Sequence, residues 1–158
     1  MITKEATSTT AEDELKVVLA AFETSLATPV VSGELTEWLD AVKQSWTEAS
    51  EKIRYQAKHE HSRQFEQIAK ADPELLPRVE QLQAEDTVIE RDLETLSQII
   101  LSTSAHVPKL EPDEEKALHH IKRLVDEGMA FILRVRKQEV AIQTWFVEAF
   151  NRDRGAGD

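Results

Sequence analysis

Apolar residues recur every three or four positions along four long segments of the chain, and short breaks rich in proline or glycine separate these segments. This spacing places the apolar residues on one face of an α-helix. No segment shows the strict alternation that is typical of a strand. The apolar row of the first segment is Leu15, Val18, Leu19, Phe22 and Leu26. The pattern therefore predicts four helices and no sheet.

The ends of the first helix are indicated by capping and breaking residues. Thr9 and Glu12 have the spacing of a capping box, which satisfies free backbone N–H groups at a helix start. The polar residues before them predict a flexible N-terminus over residues 1–10. Pro29 and Gly33 end the helix. We therefore predict one domain, residues 11–158, after this flexible stretch.

Capping residues and prolines also indicate where the later helices start and end. The second helix is predicted to start after Ser32 and to continue towards Ala71. Asp72 and Pro73 are a favourable cap and first-turn pair for the third helix, with Pro77 as the alternative start. Pro112 and the acidic residues that follow it predict the start of a fourth helix that runs to about Asn151. Gly128 lies inside that helix, where it marks either close helix packing or a tolerated surface position.

Rows with alternating steps of four and three residues indicate helices that pack along one another. Such rows run through the second, third and fourth helices: Leu35, Leu39, Val42, Trp46, Ala49 and Ile53; Leu75, Val79, Leu82, Asp86, Ile89, Leu93, Leu96 and Ile100; Phe131, Val135, Gln138, Ile142, Trp145 and Ala149. With short connections between the helices, these rows predict an all-α, up-down-up-down four-helix bundle.

Continued past Ile53, the row of the second helix reaches Gln56, Ala57, Glu60 and Gln64, with Phe65 at its edge. Polar residues thus interrupt the apolar rows, and four of them form a candidate site: Gln56, Glu60, Asp86 and Gln138. Buried polar groups must be hydrogen-bonded, and buried carboxylates must be paired, protonated or bound to metal. Three interpretations follow, in decreasing order of preference. The four residues share a hydrogen-bond network, they are exposed because the row is assigned in the wrong register, or they bind a metal ion.

The segment KHEHSRQF contains His59 and His61 on either side of Glu60. Residues two apart on an α-helix point about 200° apart, so the two histidines cannot bind one metal from that helix. The row continued from Ile53 places His59 outward and His61 beside the row. We therefore predict that both histidines lie on the surface.

The composition and net charge of the chain disfavour several classes of binding partner. The chain of 158 residues has a formal net charge of −11 and no cysteine. Its acidity disfavours nucleic acid and anionic lipid, and the absence of cysteine excludes disulfides and thiolate metal sites. No apolar run has the length of a membrane span, and the first residues lack the apolar core of a signal peptide. We therefore predict a cytoplasmic protein without nucleic-acid or membrane partners, either monomeric or dimeric.

The four helices, the polar row positions and the chain ending resemble bacterial hemerythrin-like proteins of the HHE cation-binding type. The ending shared with one bacterial subgroup is carried by Asn151, Asp153, Gly155, Gly157 and Asp158. The resemblance implies a hemerythrin-like bundle with a metal site formed by histidines and acids on its helices.

Most of the ligands that the resemblance implies are replaced in this chain. Gln56 and Gln138 stand where histidines are expected, Asp86 replaces the histidine of a Glu-His pair, and Ile142 replaces an acid. Glu60 alone matches an expected ligand. Amides and carboxylates are hard oxygen donors that suit Mg²⁺ or Ca²⁺ better than a di-iron centre.

The interpretation that follows is a non-enzymatic hemerythrin-like bundle that has lost its di-iron ligands and has a binding or structural role, with an unidentified protein as partner. It needs no cofactor. The alternative is a divalent-cation-binding or oxygen- or metal-sensing protein. In that alternative Glu60 and Asp86 bind a cation weakly, with Gln56 and Gln138 assisting.

Overall fold

The computed structural model of the chain describes the backbone of residues 2–110 and 113–156, and the side-chain surroundings of residues 11–109, 113 and 115–151. Within the described backbone, every regular element is helical. The longer elements are α1 (Ile2–Ala27), α2 (Leu35–Tyr55), a π-helical turn (Gln56–His61), α3 (Ser62–Ala71), α4 (Leu76–His106) and α5 (Glu114–Ala156). Because α2, the π turn and α3 are continuous, the described residues form four long helices, and this part of the prediction is confirmed.

The junction between α3 and α4 has the predicted cap. The Asp72 carboxylate accepts a hydrogen bond from the backbone N–H of Glu74 at 3.1 Å, and Pro73 begins the short 3₁₀ helix Pro73–Leu75. Pro77 lies in the first turn of α4, where its missing N–H is not needed. Both prolines therefore contribute to the helix start that was predicted from them.

The first helix begins earlier than predicted. α1 starts at Ile2, so Thr9 and Glu12 do not mark the helix start. The residues that precede Thr9 include Lys4, Glu5 and Ala6, which favour helix, and contain no glycine or proline to stop it. The predicted flexibility of residues 1–10 stays a prediction.

The last helix begins and ends later than predicted. The Asp113 carboxylate accepts a hydrogen bond from the backbone N–H of Lys116 at 3.3 Å and caps α5, whereas Pro112 lies outside the described residues. α5 continues past Asn151 to Ala156. Gly157 and Asp158, which end the terminal pattern, also lie outside the described residues.

A large apolar core lies where α1 packs on α2 and α5 and where α4 packs on α5. Its centre is aromatic: the rings of Phe22 and Trp46 have centroids 5.0 Å apart, and those of Trp46 and Phe131 5.4 Å apart. Gly128 belongs to this core, since a Cβ atom there would lie 2.6 Å from Leu26 Cδ1. The glycine therefore marks close packing of α5 against α1, the first of the two predicted alternatives.

A second, smaller core lies at the other end of the described part of α5. It joins α3, α4 and α5 through Phe65, Ile68, Leu75, Val79, Leu82, Ile142 and Ala149. Full burial of an aliphatic or aromatic side chain contributes about 1.5–3 kcal/mol, so this small core stabilises the protein less than the large one. None of the helices, over the residues described, has the length and apolar character needed to cross a membrane.

Candidate functional site

The π turn controls which side chains of the second helix point into the protein. A π turn contains one more residue than an α-helical turn, because its hydrogen bonds run from residue i to i+5. As a result both Glu60 and His61 turn inward, with 7% and 4% of their surfaces exposed. The predicted surface position of His61 is therefore wrong, because that prediction assumed uniform α-helical spacing. His59 is exposed, as predicted.

His61 lies between two carboxylates from two other helices. Its Nδ1 is 2.8 Å from Asp86 Oδ2 on α4, and its Nε2 is 2.6 Å from Glu139 Oε1 on α5. Only 14% of the Asp86 side chain and 20% of the Glu139 side chain are exposed. One imidazole ring therefore connects the second helix to α4 and to α5.

The two carboxylates also set the charge of His61. Burial alone lowers the pKa of His61, but the hydrogen bonds to Asp86 and Glu139 and their negative charges outweigh burial and raise the pKa to about 9. At neutral pH the ring is therefore an imidazolium, and each N–H donates to one carboxylate. Hydrogen bonds between charged groups are shorter and stronger than neutral ones, in agreement with the 2.6 Å and 2.8 Å distances.

Gln138 completes the surroundings of Asp86. Its Nε2 donates to Asp86 Oδ1 at 2.8 Å and to the Leu82 carbonyl oxygen at 2.8 Å. Each Asp86 oxygen thus accepts from a different side chain, Oδ2 from His61 and Oδ1 from Gln138. We call His61, Asp86, Gln138 and Glu139 the polar layer.

The structure joins Asp86 and Gln138 as predicted, but it does not place Gln56 or Glu60 in the same hydrogen-bond network. Glu60 accepts a hydrogen bond from Arg63 at 2.8 Å, one turn along its own helix. Gln56 is buried with 2% exposure, and its Nε2 has no hydrogen-bond partner among the described residues. The expected four-residue network is therefore replaced by one that contains His61 and Glu139 instead.

Three surface clefts lead to the polar layer. The cleft between α2 and α4 has a volume of about 420 Å³ and is bordered by Asp86. The cleft between α4 and α5, of about 400 Å³, is bordered by Gln138. The cleft between α1 and α5, of about 510 Å³, is bordered by Glu139. Asp86, Gln138 and Glu139 therefore each border one surface cleft.

The arrangement also determines what the layer can bind. A histidine binds metal through the lone pair of a ring nitrogen, and both nitrogens of His61 are engaged with carboxylates. Within the described side chains, no group of three or more histidine, aspartate or glutamate residues is arranged to hold a metal ion. A di-iron centre needs imidazole donors as well as bridging carboxylates, and the residues present do not fit it because both nitrogens of the buried His61 are engaged.

Comparison with models of known protein families, with curated proteins and with solved structures finds no match for this chain.

The sequence contained one sign of the π turn. Extended with α-helical spacing, the row of the second helix predicts Gln64 as its next member, yet the apolar residues that follow are Phe65 and Ile68. Phe65 and Ile68 instead follow His61 at steps of four and three residues. This row is shifted by one residue from the predicted row through Glu60 and Gln64. The structure places Gln64, Phe65 and Ile68 all inside, as expected if one extra residue has been inserted.

Proposed function

We propose that this chain is a non-enzymatic helical protein with a binding or structural role. In this proposal it has an up-down-up-down bundle that resembles hemerythrin-like proteins, and the His61 imidazolium provides internally the positive charge that a metal ion provides in such a bundle. The observation that supports it is the position of His61, with one ring nitrogen on Asp86 and the other on Glu139.

The charges of the polar layer support the proposal. Two carboxylates that approach one another inside a protein need a cation, a proton or a metal between them. His61 meets this need with a side chain of the same chain, and its pKa of about 9 keeps it charged at neutral pH. Because no ring lone pair is then free, metal would have to displace a proton from His61 before it could bind there.

The helix contacts support the bundle topology. α1 contacts α2 and α5, and α4 contacts α2, α3 and α5. The connections between the four helices are short, at residues 28–34, 72–75 and 107–113, and short connections favour antiparallel neighbours. Up-down-up-down order is the simplest arrangement that satisfies both observations.

The alternative is a divalent-cation site formed by Glu60, Asp86, Gln56 and Gln138. It is favoured by the burial of Gln56, Glu60 and Gln138, since carboxylate and amide oxygens are the ligands that Mg²⁺ and Ca²⁺ prefer. A cation would require Glu60 to exchange its bond to Arg63, and Asp86 to exchange its bonds to His61 and Gln138. These exchanges make it the weaker of the two proposals.

Metal analysis and thermal melting test both proposals. Protein purified from iron-supplemented cells should contain no stoichiometric iron, and millimolar Mg²⁺, Ca²⁺, Mn²⁺ or Fe²⁺ should not raise its melting temperature. A ligand that binds the folded state raises stability with the logarithm of its concentration, so a steady rise would favour the cation site. Iron at one or two ions per chain would contradict the proposed function.

A variant sharpens this test. His61→Ala removes the imidazolium and leaves Asp86 and Glu139 facing a space without a cation. We expect Mn²⁺ or Ca²⁺ to raise the melting temperature of this variant while leaving the wild type unchanged. His59→Ala, which alters an exposed histidine two residues away, is the matched control and should respond as the wild type does. An equal response of all three proteins would contradict the proposed role of His61.

A further inference from the structure

The cleft between α2 and α4, which we call the α2/α4 cleft, is bounded at both ends by ion pairs between the second helix and α4. Arg54 pairs with Glu94 at one end, and His61 pairs with Asp86 at the other. As the residue numbers rise from 54 to 61 on the second helix, those of the partners fall from 94 to 86 on α4. Arg54 and Asp86 border the cleft, but both are engaged in these pairs.

Between the two ion pairs lies a position where the facing charges are not paired. Lys58 lies one helical turn after Arg54, and Glu90 lies one turn before Glu94, so the two face one another across the cleft. Both side chains are exposed and border the cleft. Within the described part of the chain, neither forms a hydrogen bond or an ion pair. The cleft therefore presents one positive and one negative group on opposite walls.

The floor of the cleft between these two charges is aliphatic. It is formed by Ile53 of the second helix and by Ile89 and Leu93 of α4, all of them buried. Ala57, in the π turn, adds only a methyl group to the wall, and π turns are frequent at functional sites. The cleft volume of about 420 Å³ falls within the range of small-molecule sites, about 300–1,000 Å³. An aliphatic group can therefore enter between the two charged walls.

We propose that the α2/α4 cleft binds an aliphatic α-amino acid in its zwitterionic form. The Lys58 ammonium donates to the ligand carboxylate, the ligand ammonium donates to Glu90, and the ligand side chain packs on the floor. The two charges of an α-amino acid lie on one carbon atom, so its side chain can point to the floor while both charges stay at the rim. A ligand with a single charge complements only one of the two walls.

This inference goes beyond the proposed function and does not depend on it, because metal binding in the polar layer and amino-acid binding in the cleft are measured separately. NMR titration of the ¹⁵N-labelled full chain with L-leucine tests it. We expect saturable binding with a dissociation constant of about 1 mM or below, with the largest amide shifts in the second helix and α4 around the cleft. Absence of saturable binding up to about 10 mM, ten times the expected constant, would overturn the proposal and would indicate that Lys58 and Glu90 pair with one another.

Three analogues of L-leucine separate the contributions of its parts. Glycine has both charges but no aliphatic side chain, and it should bind at least about tenfold more weakly. The compounds 4-methylpentanoate and 3-methylbutylamine each lack one of the two charges and should bind at least about threefold more weakly, because exposed charges contribute modestly. Equal binding of L-leucine and either compound would contradict recognition of a zwitterion.

Two charge-removing variants assign the partners. Lys58→Gln should weaken L-leucine at least about threefold and leave 3-methylbutylamine, which has no carboxylate, unchanged. Glu90→Gln should weaken L-leucine similarly and leave 4-methylpentanoate, which has no ammonium group, unchanged. Lys43→Gln and Glu80→Gln, at exposed positions of α2 and α4, are the matched controls and should bind all three compounds as the wild type does. Equal effects of each variant and its control would contradict the assignment.

A further variant fills the cleft without changing a charge. Ala57→Leu should weaken L-leucine at least about tenfold, because its side chain occupies the space above the floor. Ala84→Leu, at an exposed position of α4, is the control and should bind as the wild type does. Thermal melting establishes whether Ala57→Leu folds, and the charge variants decide the test if it does not. A folded Ala57→Leu that binds L-leucine as the wild type does would place the ligand elsewhere and overturn the proposal.

Discussion

The large core consists of buried apolar side chains, whereas the polar layer combines the buried His61 and Gln138 with the partly buried Asp86 and Glu139. The two regions depend on different physical conditions. In the large core, the Trp46 ring packs against the uncharged rings of Phe22 and Phe131. In the polar layer, His61 is stable inside only because Asp86 and Glu139 lie within hydrogen-bond distance. The core therefore tolerates changes of pH, whereas the layer depends on the protonation of one ring.

This difference shows that regular spacing predicts which side chains are buried, but not which interactions make their burial favourable. Apolar side chains gain free energy from burial itself, in proportion to the area removed from water. A buried charge gains only when its partners are present, and the loss of one partner leaves the others unpaired. Substitutions that remove one partner, or a change of pH, should therefore separate the two regions.

The largest effect is expected from His61→Leu. The leucine approximates the volume of the ring but leaves Asp86 and Glu139 without their cation, which should destabilise the protein by about 3–5 kcal/mol at pH 7. Urea unfolding measures this loss. The triple replacement of His61, Asp86 and Glu139 by leucine is the control and should cost less than the single change. A single variant within about 0.5 kcal/mol of the wild type would indicate that the pairing contributes little.

The second prediction concerns pH. Because the pKa of His61 is raised in the folded state from 6.5 to about 9, its protonation stabilises the protein fully below about pH 6.5, and this contribution is lost as the pH rises through about 9. The rise in pKa corresponds to about 3 kcal/mol of stability. The charged groups that face the ring are Asp86 from α4 and Glu139 from α5, with the Glu60–Arg63 pair beside it on its own helix.

Urea unfolding between pH 6 and pH 9.5 checks this loss. His61→Leu should remove most of the slope, and His59→Leu should retain it, because His59 is exposed. Leu93→Ala, which opens a cavity in the large core, should lower stability by about 2–5 kcal/mol at every pH. A slope that survives in His61→Leu would assign the pH dependence to other groups.

A smaller loss is expected from Gln138→Leu. This change removes the donor to Asp86 Oδ1 and to the Leu82 carbonyl oxygen. An acceptor left buried without its partner costs about 1–3 kcal/mol. Gln44→Leu, at an exposed position of α2, should change stability by less than about 0.5 kcal/mol. Equal effects of the two changes in urea unfolding would argue against the polar layer.

Replacement of Gln56 by leucine should have the opposite effect on the free energy of unfolding from Gln138→Leu. Gln56 Nε2 is buried and unpaired in the described part of the chain, so Gln56→Leu removes an unsatisfied donor and should stabilise the protein by about 1 kcal/mol. Thermal melting and urea unfolding at pH 7 measure the gain. A loss of stability instead would contradict this expectation, because it would show that the Gln56 side chain makes a favourable interaction in the folded protein.

Much of the fold follows from the sequence alone. Four helices, the cap at Asp72 and the inward positions of Asp86 and Gln138 were predictable, because each depends on residue spacing within one helix or on neighbours within one turn. For Gly128 the sequence left close packing and a surface position open, and it could not identify the packing partner, since Leu26 lies on a different helix.

The tertiary structure decided the content of the polar layer. His61 pairs with residues 25 and 78 positions away, and no local pattern encodes those distances. The inward position of His61 also needs the π turn, whose irregular backbone hydrogen bonds are not preferred locally. The bonds from His61 to Asp86 and Glu139 form only when α4 and α5 pack beside the second helix. Sequence spacing therefore determined which helix faces are buried, while packing between helices determined which charges meet there.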